Sequence, residues 1–515
     1  MKTVGIIAEY NPFHNGHACQ IAEVRRRTQA DYIVVAMSGD FVQRGAPAIL
    51  DKHTRARMAL ACGADLILEL PVLWATASAE DFAAAGVLLL SSTGCVDTLC
   101  FGAETADLPL LSSVADLLTE EPPLFRETLA FGLKKGMSFP AARQAAVAAC
   151  MASYRAADDV STSPCIGTSE ETERTAGCGT DLHADTEQIA AVLGSPNNIL
   201  AVEYLKAIRR YRLPLQPLVL ERKGAAYHDE KIHAADSAAR QDGGDGAVGA
   251  PAASASAIRQ LLLSHRAEIS QVSASLAAGH DDTPSASLAA GHGDTPSASL
   301  AAGILPAHIA RQLAVSMPQP ALALLAEALR EKPLLNADDF SALTGYRLLG
   351  AGARELSGVA GSTEAIANRL YRQKYQFTSV SSFLSENRTR EITYTRLARI
   401  LLHLTLGLTK QDEAAGRDIG YISWLRILGF RRDCAPLLSQ LKRSASVPVL
   451  TKLSDADRIL PPDACARLNM DLFAGELYRQ TQEIISAADN TVPRTFHKKR
   501  PRSLSELSQP VVIVP

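Results

Sequence analysis

Residues 8–20 read AEYNPFHNGHACQ, and the fold follows from what that stretch joins. Before it lies an apolar run, Thr3–Ala8 (TVGIIA), with the β-branched content of a buried strand. After it, from His17 to Arg27, apolar residues recur at helical spacing. Asn11, Pro12 and Asn15 impose a turn between the two, Gly16 lets backbone approach a ligand closely, and His17 opens a helix whose unpaired N–H groups favour an anion. An exposed helix N-terminus contributes only about 0.3–1 kcal/mol to holding negative charge. His14 and His17, three residues apart in the same turn, can add imidazole donors to charge developing on phosphorus. Paired histidines at a helix start also read as a cap or a buried hydrogen-bonded pair, so their place in the chain has to decide.

That place is the first of several strand–helix alternations. Further strands are expected at Tyr32–Met37, Leu66–Leu70, Thr98–Gly102 and Leu215–Leu220. Helices are expected between them at His53–Cys62, Ser78–Ser92, Leu108–Leu118, Phe139–Tyr154 and Ile199–Tyr211. The pattern predicts an α/β, Rossmann-like domain with a parallel sheet over residues 1–265, interrupted by a polar, flexible insertion at 155–187. The turn at 8–20 then falls at the carboxyl end of the sheet, where such folds bind nucleotides. Residues 266–303 carry SASLAAGHDDTP and its near-copies with a twelve-residue period, too short for a solenoid repeat and read as a low-complexity linker, with His280 and His292 as solvated histidines. From 304 to 490 every strong pattern is helical, predicting an all-α C-terminal domain. Residues 491–515, with HKKRPR and a short VVIV, read as a basic, disordered tail.

The 515 residues are 47% apolar and 21% charged with a formal charge of −3, which suits a protein with sizeable cores and excludes one that is basic throughout. Basic residues do gather in the helical third: Arg369, Arg372, Lys374, Arg388, Arg390, Arg396, Arg399, Arg426, Arg431, Arg432, Lys442 and Arg443, interleaved with Tyr394 and Trp424. Such a face is either solvated or a nucleic-acid contact. Nine scattered cysteines include no CxxC or Cys/His cluster with metal spacing, so free thiols and no resident metal are expected. Apolar runs are too short for a signal peptide core or a membrane span, so a cytoplasmic location is expected and no membrane partner.

A second chemical element is SASAIR, Ser254–Arg259. Ser254 and Ser256 at a helix start and Arg259 a turn later suit the outer phosphates of a nucleotide, although an ordinary N-cap looks the same. In the loop after the second strand, Asp40 could orient a water or an acceptor amine, or simply form the turn.

His-x-Gly-His after a first strand resembles the HxGH nucleotidyltransferase superfamily. With MSGDFVQRGAPA (Met37–Ala48), LCFGAET (Leu99–Thr105), SPNNILAVEYL (Ser195–Leu205) and LERKGAAYHDE (Leu220–Glu230), the chain resembles the tRNA(Met) cytidine acetate ligase family. The likeness continues through NRLYR, TYTRLARILLHLTLGL, YISWLRILGF and VPVLTK. The resemblance implies an ATP-binding catalytic domain at 1–265 and a tRNA-binding domain at 304–490. It implies activation of acetate by ATP to acetyl-adenylate, then acetyl transfer to the wobble cytidine of elongator tRNA(Met), with Mg2+ carried on the triphosphate and no DNA partner. It implies catalytic roles for His14 and His17 and an ATP loop of Ile7, Ala8, Glu9, Tyr10, Asn11, Pro12, Phe13, His14, Asn15, Gly16, His17, Ala18, Cys19 and Gln20. By the same likeness Gly102, Asn197, Arg222, Ser254, Ser256 and Arg259 complete the nucleotide contacts. Glu391 stands where the family usually has a basic residue. Two other readings remain open: a small-molecule adenylyltransferase, and an RNA-binding protein with a vestigial nucleotide site.

Overall fold

The structure, a computed structural model, describes residues 1–137, 139–161, 189–222, 254–277, 304–389, 391–488 and 505–515. The chain forms two compact units, one of Met1–Cys100, Lys223–Arg388 and Ile392–Pro515, the other of Phe101–Arg222 with Thr389–Glu391.

The first unit is built on a sheet whose middle is β1 (Thr3–Ala8). β1 pairs in parallel with β2 (Tyr32–Ser38) on one side and with the start of β6 (Thr98–Ala103) on the other. β2 pairs in parallel with β5 (Leu66–Leu70). Ile33–Met37 and Leu66–Leu68 have no measurable exposure, because parallel strands are covered on both faces; this is why they read as continuous apolar runs. Helices α1 (Asn15–Thr28) and α2 (Lys52–Ala61) follow β1 and a small hairpin of β3 (Phe41–Val42) and β4 (Ala46–Pro47).

The C-terminal region is largely helical, as expected, and it also completes the sheet. β8 (Leu425–Arg431) lies antiparallel to β5 with a bulge at Ile67/Leu68, and β9 (Val449–Leu450) pairs with β8 in parallel. The helices of this region pack on the same core. His403 is bonded to the Thr76 hydroxyl at 3.0 Å, the Trp74 indole donates to Tyr421 O at 2.9 Å, and Arg417 binds Asp81 through two 2.9 Å bonds. The expected boundary at 265 is therefore corrected, since residues on both sides of it share one core.

The expectation of a disordered tail over 491–515 is corrected for residues 505–515. β10 (Val512–Val514) pairs in parallel with β8 at Gly429–Arg431. Gly429 makes room for it, since a Cβ there would stand 2.9 Å from that of Val512. Upstream, Glu506 is buried in ion pairs with Lys52 (2.5 Å) and Arg426 (2.7 Å). Three side chains thus gain charge partners that lie far apart in sequence. HKKRPR lies outside the described residues. The linker expected at 266–303 begins instead as a helix, Arg266–Ala277, which is held by burial of Ile269 and a 2.8 Å ion pair of Arg266 with Asp339. The repeats beyond residue 277 lie outside the described residues.

The second unit contains the end of β6, β7 (Gln216–Glu221) beside it, and helices Leu108–Glu120, Pro123–Lys134, Phe139–Ser161 and Pro196–Arg210. The helix Phe139–Ser161 runs into the expected insertion, whose residues 162–187 lie outside the described ones. Among the described residues no helix is long and apolar enough to cross a membrane.

Candidate nucleotide site

The turn after β1 is held from both ends. Tyr10 takes φ 47°, in the left-handed region, and Asn11–Pro12 is cis. The Asn11 carboxamide accepts from Ile49 N at 2.8 Å, while the buried rings of Tyr10 and Phe13 meet edge to face at 4.9 Å. Arg55, fully buried, donates to Glu9 O (2.5 Å) and Ser38 O (3.1 Å), tying the loops after β1 and β2 together.

His14 is the N-cap of α1. Its Nδ1 accepts from Gly16 N at 3.0 Å, and His17 Nδ1 reaches back to accept from His14 N at 3.2 Å. The two imidazoles form a capping box, a role filled in most helices by a hydroxyl and a carboxylate or carboxamide. A ring nitrogen that accepts carries no proton, so the neutral rings are both Nε2–H tautomers. The rings lie side by side, centroids 3.8 Å apart. Gly16 is required here, since a Cβ would sit 2.8 Å from His14 Cε1. Of the alternatives posed by the sequence, the cap is the one seen: both histidines cap the helix, and capping fixes which nitrogen of each ring bears a proton.

Ser254 caps the helix Ala255–Ser264, accepting from Ala257 N at 3.1 Å. Arg259 in that helix donates to Asn11 O (2.6 Å) and to Ser256 Oγ (2.9 Å). SASAIR thus meets the histidine turn across almost half the chain. Burial lowers the Arg259 pKa, Glu9 raises it, and the like charge of Arg44 lowers it further. Arg44, between β3 and β4, is likewise lowered by burial and raised by Glu9. Arg44 lies within MSGDFVQRGAPA, where its signal in the sequence is slight: a basic residue before a turn glycine in the loop after β2. Among the described residues, Glu9 thus acts on two guanidiniums near the cap, and guanidiniums are the side chains best suited to phosphate.

Asp40 does not face this turn. It is buried, accepts from Lys52 N at 2.8 Å and pairs with Lys52 Nζ at 3.4 Å, so the suggestion that it orients a water or an amine is corrected. Trp424 is core, packed with Leu450 and Leu468. Arg426 and Lys374 are buried, the second donating to Leu349 O and Ala351 O at 2.9 Å, so neither belongs to a solvent-facing basic surface.

In the second unit, Gly102, Asn197 and Arg222 form one group. Arg222 donates to Asn197 Oδ1 at 2.9 Å, Asn197 donates to Glu104 at 2.6 Å, and a Cβ on Gly102 would lie 3.0 Å from Arg222 Cγ. Asn197 is not the helix cap, a position held by Ser195. Its neighbour Asn198 is buried, accepting from Thr105 N at 3.0 Å, and is the structural member of the pair. Glu104 also went unselected in the sequence, since its partners lie some 90 residues away.

Sheet, histidine cap and Arg259 define a nucleotidyltransferase of the HIGH class, and the HIGH Nucleotidyl Transferase family model matches residues 1–491. The tRNA(Met) cytidine acetate ligases of Acetivibrio thermocellus and Caldanaerobacter subterraneus subsp. tengcongensis are 31% and 30% identical to this chain over 480 and 479 residues. These matches cover 93% of this chain and 94% and 95% of theirs. Two crystal structures of Thermotoga maritima TmcAL, apo (form I) and bound with alpha-thio ATP (form II), match with TM-scores of 0.74 and 0.72 at 23% identity. They cover all of this chain and 100% and 99% of theirs, and establish the fold. Within the HIGH class, the chain belongs to the tRNA(Met) cytidine acetate ligase family.

Proposed function

We propose that the chain is an ATP-dependent ligase that acetylates the wobble cytidine of elongator tRNA(Met) in the cytoplasm. What carries the reading is the joining of the His14–His17 cap to Arg259 through Asn11. In the first step an acetate oxygen attacks the α-phosphorus and pyrophosphate leaves; in the second the exocyclic amine of cytidine attacks the acetyl carbonyl and AMP leaves. Acetate is already a nucleophile at neutral pH, so the first step asks for placement and charge stabilisation in place of a strong base. His14 and His17 would donate from Nε2 to phosphate oxygens, residues 7–20 would cradle ATP, and Arg259, set by Ser256 behind the Ser254 cap, would neutralise the departing pyrophosphate. Gly102, Asn197 and Arg222 are proposed nucleotide contacts on the family likeness, and their mutual bonds make them a preorganised set.

Among the described residues, the charged groups acting on Arg259 are Glu9 and Arg44, with one carboxylate between them. That fits Mg2+ held mainly by phosphate oxygens. When bound, the ion would screen the triphosphate.

The helical region offers exposed Arg372, Arg388, Arg432, Lys442 and Arg443 with the open rings of Tyr346 and Tyr375. Cations of this kind hold RNA phosphates and such rings stack unpaired bases. The test is exchange of labelled pyrophosphate into ATP. Exchange that depends on acetate is expected, whereas exchange driven by a nucleoside monophosphate would establish the small-molecule adenylyltransferase reading, and no exchange with any acid would leave only RNA binding.

A further inference from the structure

The geometry points to a binding site for a zinc-class transition-metal ion formed by His265, Glu268 and His308. These three are the metal-type group of side chains found among the described residues, and their ligand atoms all lie within 4.8 Å of one another. They come from three helices. His265 is the C-cap of the helix Ala255–Ser264, Glu268 lies in the first turn of Arg266–Ala277, and His308 lies in the first turn of Ala307–Ser316.

Glu268 Oε2 is the hub, 3.2 Å from His265 Nδ1 and 4.0 Å from His308 Nε2. A tetrahedral zinc ion with bonds near 2.0–2.1 Å separates its ligand atoms by about 3.3 Å. One of these distances already meets that value, the other exceeds it by under an ångström, and the two imidazole nitrogens, within 4.8 Å of each other, would close by up to about 1.5 Å. The imidazoles meet edge to face, centroids 5.0 Å apart at 70°, so they are not stacked and their nitrogens can converge on one point. The side chains are 36–45% exposed, open enough to rotate and for an ion to enter. Two imidazoles with one carboxylate select zinc-class ions over Mg2+, which prefers oxygen ligands, and leave a fourth position for water.

The ion would fasten elements that bear on the nucleotide turn. The helix ending at His265 carries Arg259, and Val315 O, in the helix that begins beside His308, accepts from the Asn15 side chain at 2.8 Å. Neither contact assumes anything about the reaction.

The test uses the full chain stripped of metal and titrated with Co2+, then competed with Zn2+. One equivalent of Co2+ should develop the intense visible bands of a four-coordinate ion, which Zn2+ abolishes. His308→Ala and His265→Ala should each weaken binding at least about tenfold, the loss known when only an outer-shell partner of a ligand is removed. Circular dichroism shows that each variant is folded. His280→Ala/His292→Ala should bind as the parent does. A weak octahedral spectrum, unchanged binding in His308→Ala, or loss of binding in the repeat variant would each overturn the assignment.

Discussion

His17 performs two tasks that substitution can separate. Its Nδ1 closes the capping box on His14 N, and its Nε2 is the donor proposed for phosphate. His17→Gln keeps a side chain able to reach back to the N-cap amide, whereas His17→Ala does not. Both variants should lose acetate-dependent pyrophosphate exchange by roughly 10²-fold or more. Only the alanine variant should also lose about 1 kcal/mol of stability in a denaturant melt. Arg259 offers a second test. Its guanidinium spans Asn11 O and Ser256 Oγ at once, a fork that an ammonium cannot reproduce. Arg259→Lys should keep the charge but lower kcat/KM for ATP by about tenfold or more, and an unchanged value would remove Arg259 from the phosphate site. The histidine pair was legible because its spacing and place after a strand are local facts. Arg44, Glu104 and the inward-facing Asp40 were not legible, because each takes its meaning from partners that only the tertiary fold supplies.

Among the elements, the strands of the first half were read almost to the residue, since β1, β2 and β5 are continuous apolar runs bounded by polar turns. β8 and β10 were missed. LRILGFR sits among strong helical periodicities, and a run that short fits either state. VIV alone is too short to signal anything, and its seat depends on Gly429 in another strand. Glu506, ahead of β10, enters a buried cluster of Lys52 and Arg426 with Glu69, Asp40 and Asp471. Carboxylates outnumber the two cations there. Burial raises Asp40 to about 6 and Asp471 to about 7. Burial alone would raise Glu506 too, but Lys52 and Arg426 outweigh it and hold the carboxyl at about 2, below its ordinary 4.5. A lowered carboxylate pKa adds stability above the unfolded value, and that stability is lost as the pH falls through the folded one. Glu506→Gln should therefore cost about 3 kcal/mol near pH 7. Its difference from the parent should shrink between pH 4.5 and about 2 in denaturant melts; a difference that persists there would mean that the charge of Glu506 is not what it contributes.

For the whole molecule, RNA binding is a matter of summed charge. The chain is slightly acidic overall, so any attraction must come from local exposed cations such as Arg388, Arg432, Lys442 and Arg443. Five phosphate contacts would weaken tRNA binding by on the order of 10²-fold for a fourfold rise in salt. Lys442→Ala should reduce the slope of log K against log salt by about 1, while leaving acetate-dependent pyrophosphate exchange intact. Filter binding across a salt series measures the first and the exchange assay the second. A flat salt response would move the docking surface away from these residues.

The buried charge cluster also bears on how the chain is made. A ribosome delivers Lys52 early, Arg426 much later, and Glu506 and β10 later still. Until that last carboxylate arrives, a nascent chain lacks the one side chain of this cluster that pairs with Lys52 and Arg426 from beside β10, and the β8 edge stays without its β10 partner, so the sheet closes only after translation has passed residue 514.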